Sequence, residues 1–532
     1  MNGRPVYVLL AALVAAAMLV SGMAAIAAPS GPTTLRLWIP GDAFSLDPAL
    51  ASDFPTAISA YITHMRLVRV DREGKLQPMG ARSWTVTGGG LVYLFDLDPR
   101  AKFHDGRPVT AEDWKWTFDR LARPETRSGA APAILGGVVG FDTVRRGETD
   151  SLSGVRVQSP TQLQIVLRPE GRGGFLNRIS HYGAAVLNRA EVTAGGSTWF
   201  EKTSAGAGGF KLTRWERNSR FLYAAHKDFV YGSPQADVLD MAIVPSATTR
   251  LNLYDAGNLD VTDVPLPDYR RISADPKYQD QLKVFPRAQV LWLGLNPATY
   301  EPFKDARVRR AIAHAIDRDR IARTVFLGFY TPARHFAPPQ VSGVDPNFKG
   351  IEYDPERAKR LLAESGWAGR LPPLEMPVNP ATPDYQLAGE AIAAMLKETL
   401  GIDVRIQRQE TVAWSTGLVR RTHPSMLAGW TAAYLDYGYY LDLLLDSRSG
   451  LNFTNYKNSE FDKLIDQANA ARTDEDREAI YRRAEKMAID DAHVVPIAFT
   501  RFALLVKPYV QGFEGAPLNL GITDFWKIGV RR

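Results

Sequence analysis

The segment TLRLWI, Thr34 to Ile39, alternates apolar and polar residues with a period of two, which predicts a half-buried strand running into the turn-rich PGDAFSLDP. ITHMRLVRVDREGKLQP reads as strand, Asp-Arg-Glu-Gly turn and strand, and SWTVTGGGLVYLFDLDP as two strands around Gly88 to Gly90. The period then changes. In PVTAEDWKWTFDRL, Trp114, Phe118 and Leu121 fall on one helical face, and Thr110 with Asp113 supplies a capping box. Those aromatics read as core. VRVQSPTQLQIVLRP and GGFKLTRWERNSRFLYAAH predict two further hairpins. LDMAIVP and LDVTDVP flank the helical ATTRLNLYDAGN and predict two parallel strands of a βαβ unit.

The second half mixes the same periods. VLWLGLN reads as a strand, and DARVRRAIAHAIDRDRIARTVF as one amphipathic helix with Val308, Ile312, Ala315, Ile316 and Val325 on its apolar side. YDPERAKRLLAESGW carries complete helix punctuation: Asp354 at the N-cap, Pro355 in the first turn, Gly366 past the end. SEFDKLIDQANAARTDEDREAIYRRAEKMAIDDA predicts two helices broken at Arg472-Thr473, and VVPIAFTRFALLV predicts strands near the end. Strands and helices interleave throughout, so the fold class is α/β.

Length and composition add a domain count and a compartment. A chain of 532 residues with 45% apolar composition exceeds one ordinary domain and predicts two or three lobes. The opening MNGRPVYVLLAALVAAAMLVSGMAAIAAPSG has Arg4, an apolar run from Val6 to Val20 and the small-residue triplet Ala25-Ile26-Ala27, which predicts a signal peptide over residues 1–27. An uncleaved anchor is the competing reading, but the run is shorter than the roughly 20 residues that a span prefers. The chain has no cysteine, so it lacks the lipid-attachment residue of a lipoprotein, and a soluble periplasmic protein is expected. A net charge of +6 from 64 basic and 58 acidic residues, with no basic run of five, argues against a nucleic-acid partner.

Catalytic chemistry finds little support. Nucleophile-elbow, phosphate-loop, zinc-protease and dinucleotide motifs are absent, thiol chemistry is excluded, and the eight histidines do not fall at metal-ligand spacing. His104 belongs to the turn FHDG, and Asp490 with Asp491 reads as a solvated helix end beside Lys486. No catalytic residue, metal site or cofactor is expected.

Several blocks point elsewhere. SLDPALASDF, SWTVTGGGLVYLFDLDPRAKFHDGRPVTAEDWKWTFDRL, AGAGGFKLTRW, LGLNPATYEPFKDARVRRAIAHAIDRDRI, and GWTAAYLDY followed by NFTNYKNSEFDKLIDQA occur in that order over roughly residues 32 to 510. Together they resemble the family 5 extracellular solute-binding proteins, the peptide, dipeptide and nickel receptors of ABC importers. The resemblance implies a bilobed periplasmic-binding-protein type II fold with an extra inserted subdomain. It places the first lobe at 28–72, 190–285 and 506–532, the inserted subdomain at 73–189, and the second lobe at 286–505. It implies a non-catalytic, monomeric receptor that closes on a small organic or peptide-like solute and delivers it to an inner-membrane ABC permease. A nickel or metal-chelate receptor of the same fold is the alternative, with a secreted hydrolase or chaperone-like protein as the reading from another class.

A solute enclosed between lobes loses its water, so its charges need partners and its apolar parts need walls. By register with the family, Ser52, Asp53 and Phe54 line the cleft from the first lobe, Trp292 and Asn296 stand where a connecting strand enters the second, and Trp430 and Tyr434 form walls, unless they pack in the core. Arg420 and Arg421 are either counter-charges for an anion or a solvated pair. In the peptide-binding branch the third residue after the tryptophan is the aspartate that holds the ligand's ammonium; here it is Ala433. The family's second acid is present as Asp436, followed by Tyr437 in place of proline. An unpartnered buried ammonium costs roughly 3–5 kcal/mol, so either Asp436 or Asp53 substitutes or the solute has no free α-amine. The turn Gly206-Ala207-Gly208-Gly209 departs from Gly-Thr-Gly-Pro without bearing on the ligand.

Overall fold

The structure is a computed structural model that describes residues 31–531 except 52, 202–204, 380–381, 519 and 523. The expected signal peptide, residues 1–27, lies outside the described residues. Two principal sheets organise the chain. The first has four strands in the order Thr34–Ile39, Val238–Ile243, Arg220–Ala225 and Phe210–Glu216, with only the first pair parallel. The second has five, with Val261–Asp263, Val494–Val506, Leu282–Leu295 and Ser425–Thr431 in order and Thr331–Pro332 paired to Val494–Val506. A further four-stranded sheet, Ala81–Thr87, Val92–Leu97, Gln162–Val166 and Val155–Ser159, is wholly antiparallel.

Most local expectations hold because their signals are local. Thr34–Ile39 has the alternating burial its sequence implies. The helix Ala111–Ala122 starts where Asp113 accepts from the Thr110 amide at 2.9 Å and from its hydroxyl at 2.8 Å, and Trp114, Phe118 and Leu121 are buried. Asp354 caps Pro355–Glu364 through the Arg357 amide at 2.8 Å, and Gly366 takes φ +75° past its end. The helices Ser459–Ala470 and Asp474–Asp491 separate at the expected break, where Thr473 caps the second.

Two expectations fail for tertiary reasons. Val238–Ile243 and Val261–Asp263 do flank the helix Ala247–Asp255, but they lie in different sheets and form no βαβ unit. Both sides of Val238–Ile243 are occupied, by Thr34–Ile39 and Arg220–Ala225, so Val261–Asp263 pairs antiparallel with Val494–Val506 instead. The single helix expected from Asp305 onward is two, Ala306–Ala315 and Arg318–Thr324. Asp317 leaves the helix to cap the second piece, accepting from the Arg320 amide at 2.8 Å. The buried Arg318 guanidinium donates to the carbonyls of Pro496 (2.7 Å) and Ile351 (3.0 Å), which fixes the break.

The two long strands join the halves. They pair from Leu282 with Leu505 to Gly294 with Val494, and the register slips between Pro286 and Val290. On one side of the slip Phe285 and Phe502 pack on the core of the first sheet; on the other Val290, Trp292 and Phe499 belong to a core under Ser425–Thr431. Those strands thus cross between two cores, as a bilobed type II fold requires, and the segment after Ser425–Thr431 emerges at their boundary.

Candidate functional site

Strand Ser425–Thr431 pairs antiparallel with Gln289–Leu295, and its last rung extends through the Ala432 amide, which donates to the Ala288 carbonyl at 2.9 Å. The chain then turns through Ala433, Tyr434 and Leu435. Asp436 stops the extended run by capping the short turn Tyr437–Tyr439, accepting from the Gly438 amide at 2.8 Å. Tyr437 stacks on Tyr481 with centroids 5.4 Å apart, and the Tyr440 hydroxyl donates to the Ala288 carbonyl at 2.9 Å. These anchors hold Trp430, Tyr434 and Tyr439 as one group. Trp430 Nε1 donates to the Tyr439 carbonyl at 3.3 Å, and the Tyr439 ring lies 5.9 Å from Trp430 and 4.7 Å from Tyr434.

Two other segments meet this group. From helix Phe54–Thr63, the Tyr61 hydroxyl donates to the Ala433 carbonyl at 3.1 Å. From the turn beside Tyr182–Ala184, His181 meets Tyr434 edge-on at 6.2 Å, and Tyr182 meets Tyr61 at 5.8 Å. The Arg66 guanidinium covers the Tyr61 ring at 4.5 Å. Burial pushes the Tyr434 and Tyr439 phenols up, and burial together with the Arg66 charge lowers His181 to about 3, so all three are neutral near pH 7. The result is a cage of uncharged aromatics with one cation at its edge.

A cleft of about 560 Å³ opens beside Tyr434, between residues 132–178 and 434–477. Asp436 and Arg477 lie on its wall, and their ion pair has contacts of 2.9 and 2.5 Å. Asn177 also donates to Asp436, at 3.0 Å. Burial alone would raise the Asp436 carboxyl, but the charge and hydrogen bonds of Arg477, with Asn177 and the Gly438 amide, hold it below the usual range. Gly174, at φ +66°, permits this approach: a Cβ there would lie 2.7 Å from Asp436 Oδ2.

The expected residues divide into two sets. Trp430, Tyr434, Ala433 and Asp436 come together, although Asp436 is fully partnered rather than a free carboxylate. Asp53 caps helix Phe54–Thr63, accepting from the Thr56 amide and hydroxyl, both at 2.8 Å, and Phe54 is half-buried on the first core. Ser52 lies outside the described residues. Trp292 and Asn296 are interior rather than cleft-lining. Trp292 is 1% exposed and packs against Phe336 at 5.5 Å. Asn296 donates to the Arg421 and His423 carbonyls at 2.9 and 3.1 Å and accepts from Ala298 and Asn455, which ties the strand end to the loop before Ser425. Arg421 is held by the Ser449 carbonyl at 2.9 Å, and Arg420 is exposed. Asp491 is not merely solvated, since Tyr456 and Asn458 donate to it at 2.8 and 2.9 Å.

Sequence reasoning missed Tyr61, Arg66, His181, Tyr182 and Arg477. Arg66 alone left a trace, a cation inside the apolar run HMRLV. Among the described residues, no three His, Cys, Asp or Glu side chains gather as a metal cluster would.

Comparison with known proteins accords with this architecture. Residues 75–452 match the family described as bacterial extracellular solute-binding proteins, family 5 (middle). The chain is similar to the periplasmic oligopeptide-binding protein OppA of Salmonella typhimurium, 29% identical over 487 residues and 88% of each chain. It is equally similar, 29% over 490 residues and 89% of each chain, to the probable deoxycholate-binding periplasmic protein YgiS of Escherichia coli. The structure of the Escherichia coli murein tripeptide binding protein MppA superposes with a TM-score of 0.81 at 25% identity, covering 94% of this chain and 99% of that one.

Proposed function

The chain belongs to the family 5 bacterial extracellular solute-binding proteins, and from that membership we propose that it captures one small organic solute, peptide-like or another, at the aromatic cage and presents it to an inner-membrane ABC permease. The observation that carries this reading is the convergence of three segments, at Tyr61, at His181–Tyr182 and at Trp430–Tyr439, bridged by the Tyr61 hydroxyl on the Ala433 carbonyl. A site assembled from distant segments exists only when the lobes are together, which couples solute capture to closure. We place the lobes at the bounds expected from sequence, and we place the mature protein in the periplasm as a lipid-free monomer after loss of residues 1–27.

Peptides are the named ligands of OppA and MppA, and deoxycholate that of YgiS. The nickel reading is not favoured by these relatives. Ala433 offers no carboxylate for an α-ammonium, and Asp436 is neutralised by Arg477. This supports a solute without a free α-amine, such as a modified peptide or an apolar organic acid.

Native mass spectrometry of the protein purified from its own host, followed by calorimetry with the released solute, tests the proposal. Saturable one-to-one binding without chemical change is expected. Turnover of ester or peptide substrates at the same site would favour the hydrolase reading.

A further inference from the structure

Arg66 is 3% exposed, yet its Nε and Nη1 find no hydrogen-bond acceptor among the described residues. Arg318 and Arg477, also buried, differ in having strong acceptors, carbonyls for Arg318 and Asp436 for Arg477, although Arg477 Nε and the neighbouring Arg69 Nε also lack one. The acid nearest in charge to Arg66, Asp524, is occupied by Arg69 at 3.0 Å and Lys527 at 2.7 Å. Burial holds the Arg66 guanidinium below the usual range, and the charge of Arg69 adds to that effect. The Tyr61 ring offsets only part of the cost of burying a charge without a carboxylate partner.

The position of this charge gives it a use. Arg66 lies over Tyr61, whose hydroxyl bridges to Ala433, and it lines a small space of about 10 Å³ with Tyr61, Arg69, Ser180, Leu518 and the Asp524 carboxylate that Arg69 holds. That is room for one oxygen-sized group in the closed arrangement. Among the described residues the cage therefore has an unmatched cation at its edge and no unpaired carboxylate, the reverse of an amine-capturing site.

Building on the proposed receptor function, we propose that Arg66 is the subsite for an acid group of the solute, a carboxylate held by charge-assisted hydrogen bonds from the guanidinium while the aromatic cage takes the apolar remainder. The carboxylate can belong to a peptide C-terminus or to a non-peptide organic acid. Either source supplies the missing acceptors, and either accounts for a buried arginine without an acidic partner.

Two matched pairs distinguish the sources: an N-acetylated tripeptide as free acid and as amide, and deoxycholate with its uncharged methyl ester. Calorimetry with the full mature protein is expected to show that at least one acid binds about tenfold or more tighter than its neutral counterpart. Arg66→Gln should reduce that preference to below about twofold, and Arg66→Lys, which keeps the charge but not the planar fork, should retain part of it. Circular dichroism verifies that each variant is folded, and the comparison of acid with neutral form in the unaltered protein stands without any variant. Equal binding of acid and neutral forms, binding of neither pair, or a preference that survives in Arg66→Gln would overturn the assignment. If the host solute still binds one-to-one in those cases, the receptor reading stands while this subsite falls; if nothing binds saturably, both fall.

Discussion

Arg477 closes on Asp436 through two hydrogen bonds, and the pair is buried in the cleft wall where residues 173–177 meet the turn after Trp430. Asp436 is 4% exposed, so the pair is a structural fastening at the edge of the site. Removing one partner leaves an uncompensated buried charge. Asp436→Ala and Arg477→Met are each expected to lower the unfolding free energy by about 3–5 kcal/mol, and the double replacement Asp436→Leu with Arg477→Met to recover much of the loss. Urea unfolding measures all three; single variants within about 0.5 kcal/mol of the parent would contradict it. Because the folded carboxyl is held down, this contribution is present above about pH 4 and is lost as pH falls through the depressed folded value.

Tyr61 spans the site to the Ala433 carbonyl. Tyr61→Phe removes that bond and leaves the carbonyl unsatisfied, an expected penalty of about 1–2 kcal/mol on closure, or about five- to thirtyfold in solute affinity. The unfolding midpoint should move far less than the affinity. Calorimetry beside thermal melting makes the comparison, and unchanged affinity would remove the bridge from the closing mechanism.

Ala433 stands where relatives by resemblance place an ammonium-binding aspartate. Ala433→Asp should raise affinity for a free-amine tripeptide relative to its N-acetylated form by about tenfold or more. The unaltered protein should prefer neither form, or the acetylated one. Tight binding of the free-amine peptide by the unaltered protein would show that another group supplies the charge.

Glu485 is pushed up to about 7 by burial, even though the Phe336 and Ala337 amides, both at 2.8 Å, and the Tyr437 hydroxyl donate to it. Between about pH 4.5 and 7 the unfolded chain has lost this proton and the folded chain retains it, so the contribution of Glu485 to stability falls as pH rises through that window. Relative to Glu485→Gln, the unaltered protein should lose about 2 kcal/mol between pH 5 and pH 7. The comparison cancels the depressed histidines, which titrate equally in both chains. A constant gap in urea stability across that range would mean that Glu485 ionises at its ordinary value.

The sequence by itself determined the local elements and the family. Period-two alternation at Thr34–Ile39, the Thr110–Asp113 box and the Asp354–Pro355–Gly366 punctuation are interactions within one or two turns of chain, so the residues that encode them lie next to the structure they form. The motif blocks likewise singled out Trp430, Ala433 and Tyr434, which lie within five residues of one another along the chain. Only the tertiary structure decided which sheet received Val261–Asp263, that the helix after Asp305 breaks at Asp317, and that Trp292 and Asn296 are interior. It also decided the partners: Arg477 is 41 residues from Asp436, and Tyr61 is 372 residues from Ala433. Such pairings depend on sheet order and on how two lobes meet, and hydrophobic periodicity carries no record of either. For the same reason Arg66 reads in sequence as a cation in an apolar run, and becomes a candidate anion site only once its neighbours are seen to leave it unmatched.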